Sequence, residues 1–213
     1  MKTRLILVRH GYSQSNRSGY FTGQTDVPLT EIGYIQSKRA AEYLMRENID
    51  KIYSSTLSRA YNTGLAIAEA QGLELTPEPA LCEIYGGKWE GQSFKDLANI
   101  SAEEYNNWIN DFYRCKCPDG ESVKAFIGRI LSAVTKIAEE NEGKCVCLAT
   151  HATPVRIITC CALGLDPQRI QEVPWSANAS INIVEYKNGK FSFVARDITE
   201  HLKGMETNLP ANV

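Results

Sequence analysis

The sequence predicts an α/β protein: a mainly parallel sheet with helices on both faces and a helical cap inserted over one edge. Three observations predict it. Leu5-Ile6-Leu7-Val8 is a run of four apolar residues bounded by charge and glycine, the pattern of a strand buried on both faces. Strand-like and helix-like segments alternate through residues 3–70 and again through 144–163, as parallel strands joined by crossover helices require. Between 75 and 120, glycines and prolines interrupt that alternation, and an insertion fits there.

The first strand ends in Arg9-His10-Gly11. It delivers a cation and an imidazole to the strand end where ligands bind in open α/β sheets. Gly11 follows, a residue that lets the backbone turn sharply and approach a ligand closely. Residues 12–28 form a polar loop longer than most connections in a compact domain, and so expected to be functional. Thr30 is the expected N-cap of a helix reaching about residue 46, with Ile32, Ile35, Gln36, Arg39, Ala40, Tyr43 and Leu44 recurring at helical spacing. Residues 50–55 read as a second strand ending in hydroxyls. The helix after it, residues 56–70, shows an apolar face of Leu57, Ala60, Gly64, Leu65, Ile67 and Ala68, with Arg59 in its first turn.

The insertion comes next. Residues 75–92 read as a loop, 93–98 and 102–113 as two short helices, and 114–120 as a turn, so that 84–120 forms the cap. A longer helix over 121–140 carries Val123, Phe126, Ile127, Ile130, Leu131, Val134 and Ile137 on one face. A strand over 144–149 then delivers His151 to the same sheet edge, and Pro154 fits the first turn of the helix that follows over 153–163. Lys187-Asn188-Gly189-Lys190 is a hairpin signal between strands at 181–186 and 191–195. The tail after Leu202 is expected to fray. No repeat or linker divides residues 1–213, which read as one domain.

Composition excludes several functions. A formal net charge of −2 supplies no basic field for nucleic acid or for an anionic membrane, so positive potential must be local, which favours a small anionic ligand. No apolar run approaches membrane-spanning length and no secretory leader is legible, so a cytoplasmic protein is expected. Cys145 and Cys147 alternate on a strand and read as core residues rather than metal ligands, and no metal site is expected. Trp89 and Trp108 read as packing. Arg114 and Lys116 could read substrate charge from the cap, or could be solvated surface.

Three strand ends thus carry Arg9-His10, residues 54–59 with Arg59, and His151. Two imidazoles and two guanidiniums in one cleft would repel each other without a dianion between them, and phosphoryl transfer fits that need. A neutral imidazole nitrogen can attack phosphorus, and arginines clamp phosphate oxygens bidentately. A proton donor for the leaving alkoxide is also needed. Glu83 lies between a short apolar run and glycines; Glu90 and Asp26 are alternatives.

Taken in order, the motifs resemble those of the histidine phosphatase superfamily, whose other branch is the cofactor-dependent phosphoglycerate mutases. They are Arg9-His10-Gly11, Asn16, Phe21-Thr22-Gly23, Leu29-Thr30 with Gly33, Ser54-Ser55 with Arg59-Ala60, Glu83 with Gly87-x-Trp89-Glu90-Gly91, and His151. The resemblance implies a phosphoglycerate mutase-like fold and a phosphohistidine at His10. It implies a phosphate pocket of Arg9, Arg59, His151 and Asn16, completed by backbone around Thr22 and Gly23, and Glu83 as proton donor. Neither metal nor organic cofactor is implied. Two departures stand out: Ala152 replaces a glycine common after the second histidine, keeping its backbone N–H for phosphate, and Tyr12 replaces an acidic residue. Selection among small phosphorylated substrates is assigned to Tyr12, Gln24, Tyr85 and the cap. A phosphomonoester hydrolase is expected over a mutase, because no Arg-Arg pair occurs between Glu83 and His151 and the Trp-Glu-Gly form resembles the phosphatase branch. A non-catalytic phosphate-binding module is disfavoured because every reactive residue is present.

Overall fold

The computed structural model describes residues 1–207. Strand β1 (Thr3–Arg9) lies inside a six-stranded sheet of order β3-β2-β4-β1-β5-β6. Leu5, Ile6, Leu7 and Val8 are all 0% exposed, so both faces of β1 are covered, as its unbroken apolar run requires. Each such side chain contributes roughly 1.5–3 kcal/mol on burial. The pleat divides them: Leu5 and Leu7 join one core, Ile6 and Val8 the other.

After β1 come the short helix α1 (Gln14–Ser18), α2 (Glu31–Leu44), β2 (Lys51–Ser54) and α3 (Ser58–Gln71). Thr30 caps α2, its side chain accepting the Gly33 N–H. Burial on α2 departs from the apolar spacing. Ile32 and Ile35 are each 47% exposed, whereas Gly33, Gln36, Ser37, Ala40, Ala41 and Leu44 face inward. The reason is close approach, since a Cβ on Gly11 would overlap the carbonyl oxygen of Gly33, and one on Gly33 would overlap that of Tyr12. Gly11 is therefore small in order to seat α2 against the end of β1, not to admit a ligand.

Strand β3 (Leu75–Pro77) was hidden in the predicted loop. It is three residues long, lies at the sheet edge and ends in proline, which an edge position tolerates. The insertion contains 3-10 turns at Pro79–Leu81, Gly87–Trp89 and Phe112–Arg114, with α4 (Leu97–Ile100) and α5 (Ala102–Asn110) between. The helix expected over 93–98 is thus displaced: Ser93 forms an isolated bridge to Tyr20, and the helical turn begins at Leu97. Helix α6 (Val123–Glu140), capped by Ser122, packs its apolar face into the same core as Leu5 and Leu7. Strand β4 (Cys145–Thr150) and helix α7 (Ala152–Ala162) follow. Helices α2 and α3 cover the opposite face, with Ala41, Leu44, Ile67 and Ala68 in the second core.

Strands β1, β2, β3 and β4 pair in parallel, whereas β5 (Ile181–Lys187) runs antiparallel to β1, and β6 (Lys190–Ile198) antiparallel to β5. Asn188 and Gly189 both take positive φ in the turn between them, as their sequence predicts. Between α7 and β5 lies a 3-10 segment, Pro167–Glu172, without a counterpart in the sequence reading. Beyond a final 3-10 turn, Glu200–Leu202, the chain does not fray at once: Met205 N–H donates to the Leu202 carbonyl, and Gln36 Nε2 donates to that of Met205. The rest of the tail lies outside the described residues. Among the described residues no helix is long and apolar enough to cross a membrane. Cys147 is buried, with Cys145 partly buried beside it, in the second core.

Candidate active site

The parallel register brings the reactive side chains together. Arg9 pairs with Thr150, and the His10 N–H donates to the Thr150 carbonyl at 2.9 Å, so His10 and His151 leave neighbouring strands at one level. Their rings lie 5.2 Å apart at 64°. Ser55 follows β2 on the other side of β4, its N–H donating to the Ala149 carbonyl at 3.0 Å.

His10 is 5% exposed. Its Nδ1 lies 2.7 Å from the Gly11 carbonyl, which can only accept, so Nδ1 carries the proton and Nε2 keeps its lone pair. Burial, then the nearby Arg59 and Arg9, holds the His10 pKa well below 6.5. His151, 0% exposed, is held low for the same reasons, burial first and Arg59 next. Its Nε2 lies 2.8 Å from Ser55 Oγ, and its buried Nδ1 has no partner. Ser55 Oγ donates to Cys82 Sγ at 3.2 Å, so it accepts the Nε2 proton of His151.

The guanidiniums are held by carbonyls rather than by carboxylates. Arg9 Nη1 donates to the Ser176 carbonyl at 2.6 Å, while its Nε is buried without a partner. Arg59 donates to the carbonyls of Thr25 (3.0 Å) and Gly23 (2.7 Å). Burial lowers the Arg9 pKa to about 10, which still leaves it charged at neutral pH. Asp26 satisfies the start of α3 by accepting the Ser58 N–H at 2.7 Å.

Glu83 is the carboxyl in the cleft. Its two oxygens accept the N–H groups of Ile84 (2.9 Å) and Thr153 (3.2 Å), and burial raises its pKa against those hydrogen bonds. Glu90 does not reach the cleft. It is consumed as a clamp, accepting the N–H groups of Gln24, Thr25 and Gly86. Packing beside Glu90 also explains Gly23, whose φ is +37° and where a Cβ would overlap Glu90 Oε1.

Asn16 lies in the first turn of α1. Its Oδ1 accepts from Ser13 N–H (3.1 Å), Ser13 Oγ (2.9 Å) and Asn178 Nδ2 (3.0 Å), which saturates the oxygen and leaves its Nδ2 hydrogens for a ligand.

Arg9, His10, Asn16, Thr22, Gly23, Arg59, Glu83, His151 and Ala152 all line one cleft. Gln24 and Tyr85 do not line it. Gln24 Nε2 donates to the Glu83 backbone carbonyl at 3.0 Å, supporting the wall from behind. Tyr85 is 47% exposed outside the cleft, its backbone tied to Glu121. Tyr12 is likewise outside, its N–H donating to Gln36. The two tryptophans part company, since Trp89 is fully buried whereas Trp108 lines the cleft. Arg114 and Lys116 lie on a separate surface depression. Sequence reasoning missed Tyr20, Phe94, Thr153 and Trp175 in the lining, and Asn178 behind it. The signal for the last two was the run Trp175-Ser176-Ala177-Asn178 just before a strand.

Among the described residues, no group of three His, Cys, Asp or Glu side chains is arranged to hold a metal ion.

A family model of the histidine phosphatase superfamily (branch 1) matches residues 5–199. Phosphoserine phosphatase 1 from Hydrogenobacter thermophilus is 32% identical over 202 residues, spanning 93% of this chain and 94% of its own. Adenosylcobalamin/alpha-ribazole phosphatase from Salmonella typhimurium is 30% identical over 179 residues, spanning 82% and 89%. Among solved structures, YhfR from Bacillus stearothermophilus superposes with a TM-score of 0.88 at 24% identity, over 94% of this chain and 99% of its own. A mutant phosphoserine phosphatase from Entamoeba histolytica, in complex with phosphoserine, does so with a TM-score of 0.83 at 26% identity, over 94% and 99%.

Proposed function

Because the chain belongs to the histidine phosphatase superfamily and is a phosphatase, we propose that it hydrolyses phosphomonoesters of small metabolites through a phosphohistidine on His10. One observation carries the reading: the Gly11 carbonyl accepts a hydrogen bond from the Nδ1–H of His10, so the Nε2 lone pair is free in a cleft beside two guanidiniums. In the first step Nε2 attacks phosphorus and the bond to the leaving oxygen breaks. Glu83 gives its proton to that oxygen. Nδ1–H stays on Gly11 throughout and stabilises the charge that develops on the phosphorylated ring. In the second step the Glu83 carboxylate takes a proton from water, whose oxygen attacks phosphorus. The bond to Nε2 breaks, inorganic phosphate leaves, and His10 and Glu83 return to their starting protonation states.

Arg9, Arg59, His151 and the Nδ2 of Asn16 supply donors to the equatorial oxygens, with backbone near Thr22, Gly23 and Ala152 beside them. A dianion between these groups relieves their mutual repulsion and favours the His151 imidazolium, with both ring nitrogens donating. Mutase chemistry needs a further cation for a second anionic group, and among the described residues Arg9 and Arg59 are the only Lys or Arg side chains lining the cleft. In this reading the enzyme works in the cytoplasm, where seven free cysteines persist as thiols; cell fractionation checks this.

The test is a rapid-quench experiment with p-nitrophenyl phosphate. The wild type should give a burst of p-nitrophenol and an acid-labile phosphoprotein, and His10→Ala should give neither. Release of phosphate by His10→Ala at the wild-type rate would remove His10 from its role.

A further inference from the structure

We propose that Trp108 and Trp175 form an aromatic clamp in the leaving-group half of the cleft, selecting phosphomonoesters of uncharged, aryl-bearing alcohols over those whose leaving group carries a carboxylate. This rests on the hydrolase reading and goes further, to the chemistry of the substrate.

Apart from the groups assigned to phosphate and to proton transfer, the cleft lining is largely aromatic or apolar: Tyr20, Phe21, Ile84, Phe94, Trp108 and Trp175. The sequence holds 23 Lys and Arg, the last of them Lys203, so all fall within the described residues. Only Arg9 and Arg59 reach the cleft, and both serve the phosphate. A leaving-group carboxylate would therefore lose water against aromatic rings and find no cation in exchange, which is unfavourable. A flat ring meets the opposite situation.

The two indoles come from separate segments and each is braced. Trp108, on α5, packs edge-on against Phe21 (5.2 Å), Trp89 (5.7 Å) and Phe112 (4.8 Å). Trp175 is held by Arg156, whose guanidinium lies 4.3 Å from the ring centre. Arg156 is itself 8% exposed and fixed by donation to the carbonyls of Val173 and Gln171. Both indoles remain only partly buried, so each keeps surface available to a substrate. Arg156 thus acts as a positioning residue, because it touches the clamp and does not line the cleft.

The test compares four alkyl phosphates of similar intrinsic reactivity, read as inorganic phosphate released: 2-phenylethyl phosphate, ethyl phosphate, O-phosphoserine and 3-phosphoglycerate. The kcat/KM for 2-phenylethyl phosphate should exceed that for ethyl phosphate by about tenfold or more, the size expected of a packed aromatic pair plus ring burial. Both carboxylate-bearing substrates should fall below 2-phenylethyl phosphate. In Trp175→Ala the ratio of 2-phenylethyl to ethyl phosphate should narrow about tenfold, mainly through KM. A measurement needing no variant is competitive inhibition of the wild type, where 2-phenylethylphosphonate should bind more tightly than methylphosphonate. Preference for O-phosphoserine or 3-phosphoglycerate, equal binding of the two phosphonates, or an unchanged ratio in a folded Trp175→Ala would overturn the clamp while leaving the hydrolase reading intact. No release from any of the four would overturn both.

Discussion

Replacing Glu83 by glutamine separates proton donation from everything else that carboxyl does. The two Glu83 oxygens each accept a backbone N–H, from Ile84 at 2.9 Å and Thr153 at 3.2 Å. An amide retains one acceptor, so one of those N–H groups is left facing an NH₂. An unmet buried N–H costs roughly 1–3 kcal/mol, about 5- to 150-fold if it falls wholly on kcat/KM, and it acts on every substrate alike. Loss of the general acid costs about 10²–10⁴-fold, and only where the leaving oxygen needs a proton. The diagnostic is therefore a ratio. Phosphate release from an alkyl phosphate should fall about 10²–10⁴-fold further than release from p-nitrophenyl phosphate, whose phenolate leaves unaided. Because burial raises the Glu83 pKa, wild-type kcat/KM on the alkyl ester should decline as pH rises through that raised value, and Glu83→Gln should lose this limb. Equal losses on both substrates would refute the assignment, and Glu83 would then be a structural tie to the start of α7.

Three further outcomes follow from geometry already described. Asn178→Ala frees the Asn16 oxygen from one of its three donors, and should lower kcat/KM on p-nitrophenyl phosphate about tenfold, chiefly through KM, the size of one lost hydrogen bond; an unchanged KM would sink the orienting role. His10, His151 and His201 all have pKa values held below 6.5 by burial first. The unfolded chain therefore binds protons below about pH 6.5 that the folded chain refuses, and stability should fall as pH drops, by roughly 1.4 kcal/mol per pH unit for each histidine. Glu83 opposes this with its raised pKa, one carboxyl against three imidazoles. Urea melts at pH 7.5 and 5.5 read the slope, and a protein more stable at 5.5 would contradict it. Gly11→Ala should lose about 1–3 kcal/mol and roughly 2–4 °C of Tm per kcal/mol, because the new Cβ overlaps the Gly33 carbonyl and lies 2.9 Å from Ser37 Oγ; an unshifted Tm would show that α2 can yield.

What the sequence made legible follows from where each residue sits. Strand β1 was readable because burial on both faces forces an unbroken apolar run, and Arg9, His10 and His151 because parallel strands in register end together. Glu83 was not separable from Glu90 and Asp26 by residue type, since all three are loop carboxyls; the hydrogen bonds of Glu90 and Asp26 set them apart. The inward face of α2 was legible only in part: Gln36, Ala40 and Leu44 are buried as the spacing predicts, whereas Ile32 and Ile35 are exposed, because Gly11 and Gly33 bring two backbones into contact there and turn a different stripe inward. Gln24 and Tyr85 were expected to select substrate, yet neither lines the cleft: the Gln24 amide is spent on the Glu83 carbonyl, and the Tyr85 backbone is tied to Glu121 with its side chain half exposed. Trp175 and Asn178 escaped notice because a rule that looks past the ends of parallel strands does not look before the start of an antiparallel one.

That reversal of β5 also sets an order of assembly. Residues 173–180 reach the catalytic edge only because Ile181 begins beside Val8, where β1 is finishing. They carry the Ser176 carbonyl that takes Arg9, the Ala179 N–H and Asn178 amide that hold the His10 carbonyl, and the Ser180 carbonyl that takes the Arg9 N–H. A growing chain stopped after α7 would already contain every side chain proposed to handle phosphate and none of these restraints. Synthesis followed in time should therefore yield phosphatase activity only once the last strands have emerged, which makes turnover a readout of chain completion.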